Sequence, residues 1–318
     1  MRTVFVAALD RHVSALGFGC ASLGSRISEA QGLRALNYAL DRGVTWCDVA
    51  PSYGGGEAEA IVGKFLSGRR DKITVCTKIG VPRPAISPFM RLIRPAARAI
   101  ANALPKRGRQ KAGKKHSGHR LDAEEFEDFV NDSLRRLRTE YIDVLALEEP
   151  QLQDCTDGAV IEALRRLIDK GRVRAVSIAG TADAVIAGAR ISEIYKIAQL
   201  GDNPFTQSLA RVKGALGDPR MFFVTHGVFG MGGYERLSHL LVSDGGRLGA
   251  LASQLAYGPP FMASEMLLDY ACATNPDGVV LASMFSQSHI AMNCTRASRA
   301  PRKDIGPFMQ KFVVAAAK

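Results

Sequence analysis

The chain has 318 residues, 47% hydrophobic and 23% charged, which excludes a small disulfide-stapled module, wholesale disorder and collagen-like order. No apolar run approaches the roughly 18 residues of a membrane span, and charge follows Met1–Asp10 too early for a secretory leader, so a cytoplasmic protein is expected. The net charge is +11, yet residues 81–120 hold eleven Lys or Arg and no acid; elsewhere basic and acidic residues balance at 31 each.

In chain order, the first apolar run is Ser14–Cys20, followed by a helical pattern from Ser28 to Asp41 that Gly43 stops. Val44–Cys47 is a buried strand ending in Asp48, and after a glycine-rich turn and a helix over 57–66, Ile73–Thr77 is a strand ending in Lys78. Beyond the basic stretch, an amphipathic helix over 122–137 feeds the strand Tyr141–Leu147, which ends in Glu148. A helix over 158–170 with Gly171 as its stop precedes the strand Arg172–Ile178. Weaker signals place a helix over 183–191, strands over 196–200 and 221–225, a helix over 264–273 and a last strand over 278–282. Eight apolar runs separated by helices imply parallel strands joined by crossovers, hence a (β/α)8 TIM barrel filling 1–318 as one domain. The alternative is an open doubly wound sheet, for which Gly17-Phe-Gly-Cys-Ala supplies only a partial phosphate turn.

In such a barrel, residues at the C-terminal strand ends converge on one mouth. Asp48, Lys78 and Glu148 end three consecutive strands, and Tyr53 lies five residues past Asp48 in a turn loosened by Gly54, Gly55 and Gly56. An ammonium lowers a phenol's pKa, and a buried carboxylate holds that ammonium charged. Asp48, Lys78 and Tyr53 would form one relay with Tyr53 as general acid. A buried Asp–Lys pair that merely ties two strands together is the competing reading.

The wording around these residues resembles the aldo-keto reductase family: Gly43-Val-Thr-Trp-Cys-Asp-Val-Ala-Pro-Ser-Tyr53-Gly, then Glu57 and Gly63, then Thr77-Lys78-Ile-Gly80. Tyr141 to Pro150 is similar to that family's fourth strand, Gln199 with Asn203-Pro204 to its sixth, and Asn293 to the asparagine that contacts adenine. The resemblance implies a (β/α)8 barrel, a nicotinamide cofactor, NADP(H) or NAD(H), and hydride transfer to a small-molecule carbonyl or enone. It implies Asp48, Tyr53, Lys78 and Glu148 as catalytic positions and Gly19, Cys20, Asp48, Gln199, His289 and Asn293 as cofactor contacts.

Several positions depart from the family pattern. Its fourth catalytic position is His, where this chain has Glu148. A carboxyl in a water-poor mouth tends to stay protonated and could polarise an enone, as in reductases of activated carbon–carbon double bonds; drift that weakens catalysis is the other reading. Ala179-Gly180 replaces Ser-Asn, Thr225-His226 stands where a Tyr stacks on the nicotinamide, and His289 occupies a position often held by Arg, which leaves NADP against NAD open. Backbone amides of Gly227–Gly233 could bind phosphate.

The stretch 81–120, following the third strand, would be a mobile substrate lid over the mouth, a surface for acidic partners or anionic membrane, or a solvated loop. Phe89 is its one aromatic residue, which argues against nucleic-acid stacking. Such a lid would steer anionic substrates. A catalytically weakened barrel that binds a nucleotide or acidic partner through this stretch is the alternative to an enzyme. The six histidines show no metal-ligand spacing, so no metal is expected. The six cysteines form no paired spacing and are expected to be reduced.

Overall fold

The structure is a computed structural model that describes residues 1–84, 121–217, 221–243, 246–260 and 262–316. The readings of the basic stretch as lid, docking surface or loop therefore lie, from residue 85 onward, outside the described residues.

Each of the eight apolar runs forms a strand: β3 (Leu16–Gly19), β4 (Trp46–Asp48), β5 (Thr74–Ile79), β6 (Ile142–Glu148), β7 (Val173–Ala179), β8 (Tyr195–Gly201), β9 (Phe222–His226) and β10 (Val279–Ala282). All neighbours in this ring are parallel, and β10 closes onto β3. This is the expected (β/α)8 barrel. Helices cover the outside where the 3.6-residue period predicts them. Ser28 caps α1 (Glu29–Asp41) by accepting from the Gln31 amide, and Gly43 leaves the helix at φ 84°.

A short element absent from the sequence reading precedes the ring. β1 (Thr3–Val6) and β2 (Arg11–Ser14) form an antiparallel hairpin. Val4, Val6 and Val13 are buried against the barrel-interior residues Trp46, Cys76, Val144, Ile197 and Val279, so the hairpin closes the N-terminal end of the ring. Phe5, on the hairpin's other face, stays 49% exposed. Burying each valine contributes about 1.5–3 kcal/mol.

Strand alternation decides which side chains reach the mouth. On β6, Val144 and Ala146 belong to the barrel interior, while Leu145 and Leu147 pack against the helices. The two-residue period continues that inward row to Glu148. Trp46 leads in the same way to Asp48, Cys76 to Lys78, Ile197 to Gln199 and Val224 to His226.

The outward row locks helices on. Glu59 of α2 (Ala58–Leu66) accepts from Thr77 of β5 at 2.7 Å and from Arg136 of α3 (Phe126–Leu137) at 2.6 Å. The acid that ties this helix down is thus Glu59, whereas Glu57 sits half-buried, 4.0 Å from Arg83. At Gly63 the two helices meet so closely that an added Cβ would stand 2.3 Å from the Arg136 carbonyl oxygen. Asp143, fully buried on β6, accepts from the Val75 amide at 2.9 Å and pairs with Arg70 at 2.7 Å. Arg70 and Arg174 stack on Tyr141, each 4.0 Å from its ring centre. All six cysteines are buried and free.

Candidate active site

At the C-terminal ends of the strands lies a cavity of about 420 Å³. Every strand of the ring contributes to its wall: Gly19, Asp48, Lys78, Glu148, Ala179, Gln199, His226 and Ala282 all line it. Ala21, Tyr53, Glu149, Leu281, Ser283 and the segment 227–230 complete it. A larger cleft of about 740 Å³ opens at the opposite end, between Phe5, Lys213, Phe222 and Asp277. It lacks the converging strand-end groups that chemistry requires.

Asp48 and Lys78 are each 3% exposed and form a salt bridge of 2.6 Å between Oδ1 and Nζ. Lys78 also donates to the Val49 carbonyl at 3.4 Å. Gln199 Nε2 donates to the other Asp48 oxygen, Oδ2, at 2.9 Å, so both carboxylate oxygens are held. Burial works against the Lys78 ammonium, but Asp48 first, then Tyr53, Cys76 and Glu148, outweigh it and hold its pKa well above the usual lysine value. The amine is a fixed positive charge.

Tyr53 opens a tight turn after β4. Gly54 (φ 61°) and Gly56 (φ 85°) take left-handed backbone, and a Cβ on Gly54 would stand 1.5 Å from the Leu23 carbonyl oxygen. Only glycine fits that contact, and it presses the turn onto the loop after β3. The Lys78 ammonium lies 5.2 Å from the Tyr53 ring centre. The sequence reading expected that ammonium to lower the phenol's pKa. Lys78 does act in that sense, but burial is the larger effect, and with Asp48 and Glu148 it raises the phenol well above 10. Tyr53 is therefore a protonated donor at neutral pH, with a cation beside it.

Glu148 stands half-buried on the inward row and accepts from Ser52 at 3.4 Å, which joins the Tyr53 turn to β6. His226 stands across the mouth with its pKa lowered, mainly by burial, so its imidazole is neutral. The cofactor-contact set of the sequence reading divides in space. Gly19, Asp48 and Gln199 line the cavity, while Cys20, His289 and Asn293 lie outside its wall. Cys20 is fully buried with its thiol toward the Phe18 carbonyl. His289 is exposed on the first turn of α11 (Gln287–Ala297), the helix whose buried face carries Asn293. Sequence reasoning missed Ser52, which reaches Glu148, Cys76, whose thiol meets Gln199, and Glu149, which lines the cavity. Cys76 was within reach of it, because it lies two residues before Lys78 and so faces the same side. No cluster of three or more His, Cys, Asp or Glu placed to hold a metal occurs among the described residues, and none of their helices is long and apolar enough to cross a membrane.

A closed parallel barrel whose mouth holds a buried Asp–Lys pair beside a tyrosine brings together groups able to carry and move a proton. The aldo/keto reductase family model matches residues 15–201, and the chain belongs to that family. An aldo-keto reductase of Bacillus subtilis, YhdN, is 28% identical over 185 residues, 56% of this chain and 46% of that protein. D-threo-aldose 1-dehydrogenase of a Pseudomonas species is 28% identical over 211 residues, 61% of this chain and 59% of its own length. The match thus spans about half the length of these curated relatives. The fold extends further: an aldo-keto reductase of Klebsiella pneumoniae, solved in complex with NADPH, superposes with a TM-score of 0.70 at 17% identity, covering 98% of this chain and 96% of the other.

Proposed function

We propose that the chain, as a single barrel domain, is an oxidoreductase that transfers hydride from NADPH or NADH to a small-molecule carbonyl or activated double bond. The observation that carries this reading is the Asp48–Lys78 pair, buried at 2.6 Å beside the protonated Tyr53 phenol at a mouth large enough for a small substrate.

The residues present fit a nicotinamide cofactor. The wall is open where Gly19 lacks a side chain: a Cβ there would meet Ser283 Oγ at 3.1 Å and narrow the cleft. Gly227 and Gly230, after β9, bring backbone to the same side of the rim, one strand removed from Gly19. Toward α11, Asn293 keeps a buried Oδ1 without a hydrogen-bond partner among the described residues, an acceptor suited to an amine such as that of adenine. Gly19, Gln199 and Asn293 would hold the group, while Cys20 is buried behind the wall with its thiol on the Phe18 carbonyl.

The nicotinamide, when bound, supplies the hydride. Tyr53 donates its proton to the substrate oxygen, and Lys78 stabilises the phenolate that remains. Asp48 keeps Lys78 charged through the cycle. Glu148, in its protonated form, would donate a hydrogen bond to the acceptor's carbonyl, which suits an enone better than a simple aldehyde. The name of the Pseudomonas relative favours a sugar-like carbonyl as the substrate class.

The test is a screen of sugars, enones and simple aldehydes with both cofactors, run beside Tyr53→Phe. Tyr53→Phe lowers kcat by about 10²–10⁴-fold and leaves cofactor fluorescence quenching in place. Glu148→His raises simple aldehyde reduction relative to enones. Retained activity in Tyr53→Phe would refute the acid assignment, and no rise for aldehydes in Glu148→His would refute the tuning role.

A further inference from the structure

Gln199 lines the mouth, but its side chain is tied to Asp48. It stands on β8, the sixth strand of the ring, and Asp48 on the second, so the 2.9 Å bond between Gln199 Nε2 and Asp48 Oδ2 crosses the barrel interior. Both residues are 3% exposed, as is Lys78. The sense of the amide follows from chemistry. An ionised carboxylate only accepts, so the NH2 end must face Asp48 and the carbonyl end must point away. That carbonyl oxygen, Oε1, meets the thiol of Cys76 at 3.7 Å. A flipped amide would set oxygen against carboxylate oxygen and turn an NH2 toward the thiol, leaving it the longer contact to the Thr77 carbonyl at 3.9 Å.

We propose that Gln199 is a positioning residue of the relay: it braces the Asp48 carboxylate from across the barrel so that Lys78 stays aimed at Tyr53, and Cys76 fixes the amide's orientation. The inference rests on Tyr53 acting as the proton donor. A carboxylate turns easily about its last torsion, and Lys78 sits on a four-carbon stem. The ammonium's other bond, to the Val49 carbonyl, is long at 3.4 Å. Asp48 therefore sets the place of the ammonium, and Gln199 sets the place of Asp48. Burial, then the nearby Asp48 charge, keeps the Cys76 thiol protonated, as a donor must be.

The test uses the full chain and the near-isosteric Gln199→Met, which keeps volume and removes the donor. With NADPH or NADH and a turned-over aldehyde or enone, kcat falls about tenfold, equivalent to about 1.4 kcal/mol, and the solvent deuterium isotope effect on kcat grows because proton donation slows. Cys76→Ala loses part of that activity and Cys76→Ser, which keeps a donor, recovers it. In ligand-free protein labelled with ¹⁵N-lysine, the Lys78 ammonium resonance shifts or broadens in Gln199→Met. An unchanged Lys78 resonance overturns the bracing role whatever Tyr53 does. A loss confined to cofactor affinity, with kcat and isotope effect intact, also overturns it. Full activity in Tyr53→Phe, by contrast, removes the acid reading on which the inference rests. If Gln199→Met does not fold, the Cys76→Ala and Cys76→Ser pair decides: equal kcat in the two overturns the amide-locking step.

Discussion

Lys78→Met tests the buried pair. Methionine keeps most of the side chain's length and volume but removes the charge, leaving Asp48, 3% exposed, as an anion that loses its 2.6 Å partner. Gln199 still donates to Oδ2, but a neutral amide does not balance a full charge. Removing one member of a buried pair costs about 3–5 kcal/mol, because the surviving charge stays desolvated. In a chain this long each kcal/mol moves the unfolding midpoint by about 2 °C, so a drop of about 6–10 °C is expected by circular dichroism. Adding Asp48→Asn removes the stranded charge and recovers about half of that drop or more. kcat stays low in both variants, since Lys78 is what pulls the Tyr53 pKa downward. A midpoint within about 2 °C of the parent, or a double variant no more stable than Lys78→Met, would refute the assignment of Asp48 as a buried anion held by lysine.

Gly54→Ala forces a Cβ onto the Leu23 carbonyl oxygen, 1.5 Å away, at a φ of 61°; the turn must move, and both the unfolding midpoint and kcat fall. Gly63→Ala meets the Arg136 carbonyl at 2.3 Å, far from the mouth, so overpacking of about 1–3 kcal/mol lowers the midpoint while kcat is unchanged. Burial lowers the His226 pKa below its ordinary 6.5. As pH falls through 6.5 the unfolded chain takes up a proton that the folded chain refuses. Stability therefore declines on acidification, by at most about 1.4 kcal/mol per pH unit from this group, until the folded pKa is reached. His226→Gln flattens that slope, measured as midpoints between about pH 7.5 and 5; an unchanged slope would show that His226 is not the refusing group.

Much of the fold was legible because eight apolar runs each bury both faces, which is what a covered parallel strand demands. Ser28 and Gly43 marked the ends of α1 by their own chemistry. The N-terminal hairpin was not legible: its turn passes through Asp10 at φ 47° rather than through a glycine, and Thr3–Val6 is only four residues long. At the site, Asp48, Lys78 and Glu148 could be found because each is the next inward residue after a hydrophobic strand. Gln199 is a different case. Its bond to Asp48 joins residues 151 apart in sequence across the barrel interior, and no local period encodes that. The phenol's pKa was misjudged for a related reason: spacing shows that an ammonium is near, but not how far the surrounding mouth screens the half-buried ring from water.

That raised pKa sharpens the proposed relay. A phenol at its ordinary 10 is already protonated at neutral pH, and burial keeps Tyr53 so, which leaves its proton in place for transfer. Burial raises the energy of the phenolate, and the same low-dielectric surroundings strengthen its attraction to Lys78 once the proton begins to leave. The ammonium therefore contributes little to the resting state and most to the charge that develops during transfer, which is the differential stabilisation that accelerates a reaction. For this to hold, Lys78 must remain charged in a site where burial opposes it, and Asp48 supplies that charge balance at 2.6 Å. The neutral imidazole of His226 adds no second cation to compete for the developing phenolate. The mouth thus gathers one transferable proton and one fixed positive charge at the same phenol, with Glu148 on the next strand of the ring as the residue proposed to tune the acceptor.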